Sequence, residues 1–144
     1  MRPPDRAAVL LETYHAAIGA LCGGAKVAIG GKSMGGRMAS LIADEAEVRG
    51  LICLGYPFHP PRKPETTRTE HLKAIKTPTL IVQGTRDALG SKCEVTSYSL
   101  APSIRMRWLD DGDHNFKPRK ASGLTEADNW TAGIAAVADF AARL

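Results

Sequence analysis

The chain has 144 residues, enough for one domain that buries about 70% of the surface its unfolded form exposes. Apolar residues make up 44% and charged residues 24%, which excludes a disordered or fibrous chain. The net charge is 19 − 15 = +4, and the densest basic runs, Lys117-Pro118-Arg119-Lys120 and Arg62-Lys63, read as solvated loop charge rather than a nucleic-acid face. An anionic substrate near a site is the lesser alternative.

Taken in order, the elements begin with Asp5 as an N-cap behind Pro3 and Pro4. Leu10, Tyr14, Ile18 and Leu21 then recur at helical spacing, and Gly23-Gly24 stop the helix. An apolar strand follows at Lys26 to Gly30. A helix over Met34 to Ala46 comes next, with Met34, Met38, Leu41 and Ile42 on one face. Gly50 to Gly55 reads as a short buried strand. From Tyr56 to Thr67 the chain is a loop holding Pro57, Pro60, Pro61 and Pro64, and loops of this length are more often functional than idle. Glu70 to Ile75 reads as a short helix, and Pro78 introduces a strand rich in β-branched residues, Thr79 to Gly84. Ser91-Lys92-Cys93-Glu94 matches a capping box, which predicts a helix running to about Leu100. Ile104 to Leu109 alternates apolar and basic residues like a strand with one exposed face. A closing helix is capped by Thr125 and carries Trp130, Ile134, Val137 and Ala141 as its apolar stripe. This alternation predicts an α/β fold: three layers, α/β/α, around a mostly parallel sheet of about four strands, in a single domain over 1–144.

The pentapeptide Gly31-Lys32-Ser33-Met34-Gly35 sits between the second element, a strand, and the helix that follows. G-x-S-x-G in that setting is the pattern of a nucleophile elbow. A turn this tight needs small residues beside the serine, lifts its hydroxyl clear of the sheet, and aims the Met34 N–H at a developing oxyanion. Two other readings compete. Gly31-Lys32-Ser33 resembles the end of a phosphate-binding loop, but that loop needs a glycine where Lys26 stands. Alternatively, the glycines only make a tight turn and Ser33 is a helix cap.

A serine hydroxyl becomes nucleophilic beside a base, and the base needs an orienting carboxylate. Asp87 follows the Thr79 strand, and His114 follows the Ile104 strand, so both fall where loops leave the carboxyl ends of strands. Asp110, Asp111 and Asp113 compete with Asp87 as sequence neighbours of His114. Of the other histidines, His15 and His71 fall in helical patterns and read as surface residues, and His59 lies in the Pro-rich loop where it can line a site. Lys32 and Tyr56 are the remaining candidates for the pocket lining.

Cys22, Cys53 and Cys93 are odd in number and lack zinc or redox spacing, and Met1-Arg2-Pro3-Pro4-Asp5 has no apolar leader core. A reducing cytoplasm fits, and no stretch approaches the ~18 apolar residues of a membrane span. Nothing in the pattern calls for a cofactor or a metal.

Four linked motifs then carry a resemblance: Gly30-Gly31-Lys32-Ser33-Met34-Gly35-Gly36-Arg37, Cys53-Leu54-Gly55-Tyr56-Pro57-Phe58-His59-Pro60, Val82-Gln83-Gly84-Thr85-Arg86-Asp87, and Asp111-Gly112-Asp113-His114-Asn115-Phe116-Lys117-Pro118. Together they resemble α/β-hydrolases of the dienelactone-hydrolase-like type. More narrowly, they are similar to a small family that includes a testis-expressed protein and a subunit of a histone-acetyltransferase regulatory complex. The resemblance implies Ser33 as nucleophile, Asp87 as orienting acid and His114 as base, acting on a small acyl substrate. Members of that family have further strands, and an H-G loop supplying a second oxyanion donor, before the region matching Arg2 to Arg6. The chain therefore reads as the carboxyl-terminal part of such a fold. It is expected to self-associate through an exposed sheet edge. The competing expectations are a non-catalytic interaction module using the Tyr56–Pro64 loop, and an incomplete hydrolase fragment.

Overall fold

A computed structural model describes residue 3, residues 5–21 and residues 23–144. Met1, Arg2, Pro4 and Cys22 lie outside the described residues, and the readings made on Pro4 and Cys22 lie there with them. The order is α1 (Ala7–Ala20), β1 (Ala28–Lys32), α2 (Met34–Ile42), β2 (Gly50–Leu54), β3 (Thr79–Gly84), α3 (Lys92–Val95), β4 (Ile104–Leu109) and α4 (Glu126–Ala142). All four strands run parallel in the order β1-β2-β3-β4, the α/β architecture expected.

The sheet separates two cores. On one face, Ala39, Ile42 and Ala43 pack with Leu51, Cys53, Ile81, Tyr56, Phe58 and Leu72, and Ile18 of α1 and Val95 of α3 join them. On the other, Leu80, Val82 and Leu109 meet Phe116 and Phe140, with Trp130 and Val137 of α4 against them. A parallel sheet must be covered on both faces, and apolar runs such as Leu80-Ile81-Val82 meet that requirement.

Several boundaries differ from the sequence expectation. Helix α1 is entered through Arg6, with no side-chain cap, rather than through Asp5. Strand β1 starts two residues later than expected because Gly24–Lys26 forms a 3₁₀ turn, and its ladder with β2 runs on to Lys32 opposite Leu54. Helix α2 ends at Ile42 rather than Ala46. Just beyond, the Asp44 carboxylate accepts from the Lys76 and Thr77 N–H groups at 2.9 and 2.8 Å. Met34 and Leu41 stay exposed, and the buried face of α2 is Gly36, Met38, Ala39, Ser40 and Ile42. The Glu70 segment makes only a 3₁₀ turn, His71–Lys73. The Ser91–Glu94 capping box forms, but α3 stops at Val95. There Thr96 Oγ1 donates to Lys92 O at 2.8 Å and Ser97 Oγ to Glu94 O at 2.6 Å, bonds that compete with helix propagation. Thr125 caps α4 as expected, whereas Ile134 faces solvent and Phe140 and Gly133 are buried instead.

Where β1 crosses α2 the two backbones touch. A Cβ on Gly31 would stand 2.7 Å from the Gly35 carbonyl carbon, and one on Gly36 would stand 2.6 Å from Gly31 O. A Cβ on Gly35 meets only the Tyr14 hydroxyl, at 3.8 Å. The second small residue that the elbow requires is thus Gly36 rather than Gly35. Gly31→Ala is expected to lower stability by about 1–3 kcal/mol, the usual cost of overpacking, which a urea denaturation series would measure.

Candidate functional site

Ser33 stands between β1 and α2 with φ 51° and ψ −119°, outside the regions an L-residue readily adopts. Its N–H still donates to Leu54 O at 2.9 Å, as a continuation of the β1–β2 ladder, and its carbonyl accepts from Arg37 N at 3.1 Å. The side chain makes no capping bond to α2. Instead, Ser33 Oγ lies 3.0 Å from His114 Nε2. The hydroxyl of Tyr14, reaching from α1, lies 3.0 Å from both Gly30 O and Gly35 O and pins the turn from behind.

His114 Nδ1 lies 2.9 Å from Asp87 Oδ2. An ionised carboxylate only accepts, so Nδ1 carries the proton and Nε2 is free to accept from the serine hydroxyl. Asp87 is fully buried. Its Oδ1 accepts from Leu89 N at 2.8 Å, and Gln83 Nε2 donates to Oδ2 at 2.9 Å. The structure thus brings Ser33, His114 and Asp87 into one hydrogen-bonded chain drawn from the ends of three strands. A hydroxyl bonded to an imidazole, itself held by a buried carboxylate, can pass its proton to that imidazole. Asp110, Asp111 and Asp113 stand elsewhere. Asp113 Oδ1 accepts from Asn115 N and Lys117 N and shapes the histidine turn. Asp111 pairs with Arg119 and Arg86, and the Arg119 hydrogen bonds hold its carboxyl down to about 2.

Met34 opens α2, so its N–H belongs to the first turn, where backbone donors have no intrahelical acceptor. Lys32 is exposed, and its ammonium donates to His114 O at 3.0 Å while lying 5.6 Å above the Phe116 ring. Neither Tyr56 nor His59 hydrogen-bonds Ser33 or His114. Tyr56 is buried with its hydroxyl on Arg68 O at 3.1 Å, because its ring packs into the α2-side core with Phe58. His59 is buried with Nδ1 2.8 Å from Pro60 O and Nε2 3.5 Å from Glu94. His71, read from sequence as a surface residue, is tucked against Ser40 Oγ at 2.8 Å, and burial, followed by the charge of Arg37, pushes its pKa down. His15 is the solvent-facing one, 3.8 Å from Glu45. Among the described residues, no three His, Cys, Asp or Glu side chains gather as a metal site, and no helix is long and apolar enough to cross a membrane.

Two contributors escaped the sequence reading. Gly55, at φ 63°, backs onto the histidine: a Cβ there would stand 3.1 Å from His114 O and 3.4 Å from Cε1. Gln83 is the hub beneath the site. Its Oε1 accepts from Tyr56 N at 2.7 Å, while Nε2 reaches Asp87, Tyr56 O and Gly90 O. The signal was present as a lone amide in an apolar strand, Leu80-Ile81-Val82-Gln83, since a buried amide is kept only where its bonds are met. Gln83→Leu would strand the buried Tyr56 N–H and is expected to cost about 1–3 kcal/mol in chemical denaturation.

A family model described as an alpha/beta hydrolase domain matches residues 1–142. Among solved structures, an alpha-beta serine hydrolase homologue from Coxiella burnetii is 17% identical with a TM-score of 0.60, and the match covers 79% of this chain and 54% of that one. The esterase domain of a Rhodothermus marinus protein is 18% identical with a TM-score of 0.59, over 85% of this chain and 64% of that one. A serine hydrolase involved in carbazole degradation is 15% identical with a TM-score of 0.69, over 100% and 75%. At these identities the likeness is one of fold, and the chain spans between about half and two thirds of the length of the first two. With the family model matched almost from end to end and the same fold in solved hydrolases, the chain belongs to the alpha/beta hydrolase domain family.

Proposed function

We propose that the chain is a serine hydrolase of the dienelactone-hydrolase-like kind, working in the cytoplasm on a small ester or related acyl compound. The observation that carries this reading is the chain of contacts from Ser33 Oγ to His114 Nε2 (3.0 Å) and from His114 Nδ1 to Asp87 Oδ2 (2.9 Å). Ser33 Oγ attacks the acyl carbon as its proton passes to His114 Nε2. The carbonyl oxygen takes up negative charge facing the Met34 N–H. Collapse of the adduct expels the alcohol, which leaves with the proton from His114, and Ser33 holds the acyl group as an ester. Water then attacks that ester, His114 takes its proton, and return of the proton to Ser33 releases the acid. Asp87 keeps the imidazole in the Nδ1–H tautomer and stabilises its protonated form.

A second proposal concerns assembly. Among the described residues strand β1 pairs only with β2, so its outer edge has no partner strand, and there Gly30 O accepts from the Tyr14 hydroxyl. We propose that a second copy pairs along this edge. Light scattering over a micromolar concentration series is expected to show a dimer, and a monomer throughout would count against it.

The test of the chemistry is intact-mass analysis after exposure to a fluorophosphonate probe. One adduct is expected on the wild-type chain, none on Ser33→Ala, and strongly slowed labelling on His114→Ala. Labelling that survives Ser33→Ala, or a folded wild-type protein that never labels, would sink the reading and favour a non-catalytic interaction module or an incomplete hydrolase. Asp87→Asn presents the imidazole in the wrong tautomer, and ester turnover is expected to fall by roughly 10⁴-fold, the size of the same loss in the serine-protease triad.

A further inference from the structure

Strand β4 closes the sheet on the side away from β1, and among the described residues it pairs only with β3. Thr79 N donates to Ser103 O and Thr85 N to Leu109 O, both at 3.0 Å. Carried at two-residue steps between those ends, the parallel ladder turns the main-chain groups of Arg105 and Arg107 toward β3. The N–H and C=O groups of Met106 and Trp108 then point out of the sheet, where no strand meets them among the described residues. The two faces of this edge differ. Ile104, Met106 and Trp108 are half-buried against the α2-side core. Arg105 and Arg107 are exposed on the other face, toward α4. Three hollows follow one another along that face, between β4 and α4. The first, about 330 Å³, runs from Ser103 to Arg105; the second, also about 330 Å³, from Arg105 to Arg107; the third, about 160 Å³, from Arg107 to Asp110. The small side chains of Ala132 and Ala136 leave the middle one open. Hollows at this step match the spacing of side chains on one face of a strand, about 6.6 Å.

Charge says what fits the groove. Neither Arg105 nor Arg107 has a carboxylate among the described residues, whereas Asp139 in the same groove is held by Arg143 at 3.0 Å. Asp110 and Asp128 stand only at the far hollow, and Asp128 is taken by the Thr125 cap. Arg49 adds a further cation at the first hollow. Positive charge is therefore concentrated along the first two hollows. A second β4 laid against this edge would bring arginines against arginines, and like charges opposed across strands are destabilising. Outward N–H and C=O groups at strand spacing match another main chain, while a phosphate backbone offers acceptors but no donors. A strand with acidic residues on one face and apolar residues on the other complements both faces of β4 at once. We propose that β4 takes up an extended acidic segment of a partner protein as a fifth strand. Its Asp or Glu side chains lodge beside Arg105 and Arg107, and its intervening apolar side chains extend the face of Ile104, Met106 and Trp108. Such docking is independent of the chemistry at Ser33.

Docking is read by fluorescence anisotropy of a short fluorescein-labelled peptide alternating glutamate with valine, titrated with the full chain. Saturable, salt-sensitive binding is expected, weakened roughly tenfold by joint Arg105→Gln and Arg107→Gln substitution. Both side chains are exposed, and circular dichroism checks the fold of that variant. Lysine in place of glutamate in the peptide, or N-methylation of its main-chain amides, is expected to abolish binding by the unaltered protein. Residue-resolved hydrogen exchange is expected to show the Met106 and Trp108 amides slowed only when the peptide is bound. Absence of saturable binding through the millimolar range overturns the docking site. So does binding that ignores the two arginines, that survives N-methylation, or that is equal for the lysine peptide. Protection of Met106 and Trp108 that rises with protein concentration alone assigns the edge to a second copy and overturns the acidic partner. Arginine-dependent capture of a single-stranded oligodeoxynucleotide without capture of the peptide overturns it in favour of a nucleic-acid surface.

Discussion

The site depends on how closely β1 and α2 cross. With hydrogens in place of side chains at Gly31 and Gly36, strand and helix backbones touch, and a single residue is left to reverse the chain between them. Ser33 is that residue, and its positive φ is the consequence. A backbone of this kind costs about 1–3 kcal/mol and persists only where its surroundings over-determine it. Here the surroundings are the ladder bond from Ser33 N to Leu54 O, and the Tyr14 hydroxyl wedged against Gly30 O and Gly35 O. The same geometry turns the serine oxygen away from the helix end that a serine in its place would ordinarily cap. That is why the hydroxyl is available to His114.

Behind the histidine the energetic weight moves to a buried amide. Asp87 is a carboxylate without solvent, and a buried carboxylate is tolerable only when each oxygen is hydrogen-bonded. Leu89 N serves one oxygen; Gln83 and His114 share the other. Gln83 in turn is fixed by the Tyr56 backbone on both of its amide atoms. The chain after β2, the strand β3 and the loop after β3 are therefore tied at one side chain. Loss of any member of such a network leaves its neighbours unsatisfied in a low dielectric, so the network positions the histidine more rigidly than its separate bonds suggest.

The parts of this design that the sequence displays are those with local causes. The elbow pentapeptide, the strand–loop placement of Asp87 and His114, the capping box at Ser91 and the cap at Thr125 are each readable within a few residues. The four parallel strands follow from the alternation of apolar runs with helical spacing. What stayed hidden depended on contacts between distant segments. Gly35 and Gly36 are indistinguishable in the sequence, and only the crossing with Gly31 O shows which one must lack a side chain. Tyr56 looks like a pocket residue because it sits beside Gly55, but rotation of its ring into the core with Phe58 removes it. His71 has no local mark of burial; its partner Ser40 lies 31 positions away. Helix ends were set by side chains that found other work, Asp44 on Lys76 and Thr77, and Thr96 on Lys92.

The loop bearing His114 looks, by length and composition, like one that would move, yet it is held from four directions. Asp113 folds the turn on itself through the N–H groups of Asn115 and Lys117. Asp111 anchors its base to Arg86 and Arg119. Asn129 of α4 donates to Asp110 O at 3.0 Å and to Phe116 O at 2.8 Å, gripping both shoulders of the loop. Lys32, the residue before the serine, donates to the carbonyl of His114 itself. That last bond runs from one side of the Ser33–His114 contact to the other, so the elbow and the histidine loop are constrained as one body. An imidazole held in this way need not reorganise when charge develops beside it, and preorganisation of that kind is where most of the electrostatic advantage of an active site arises.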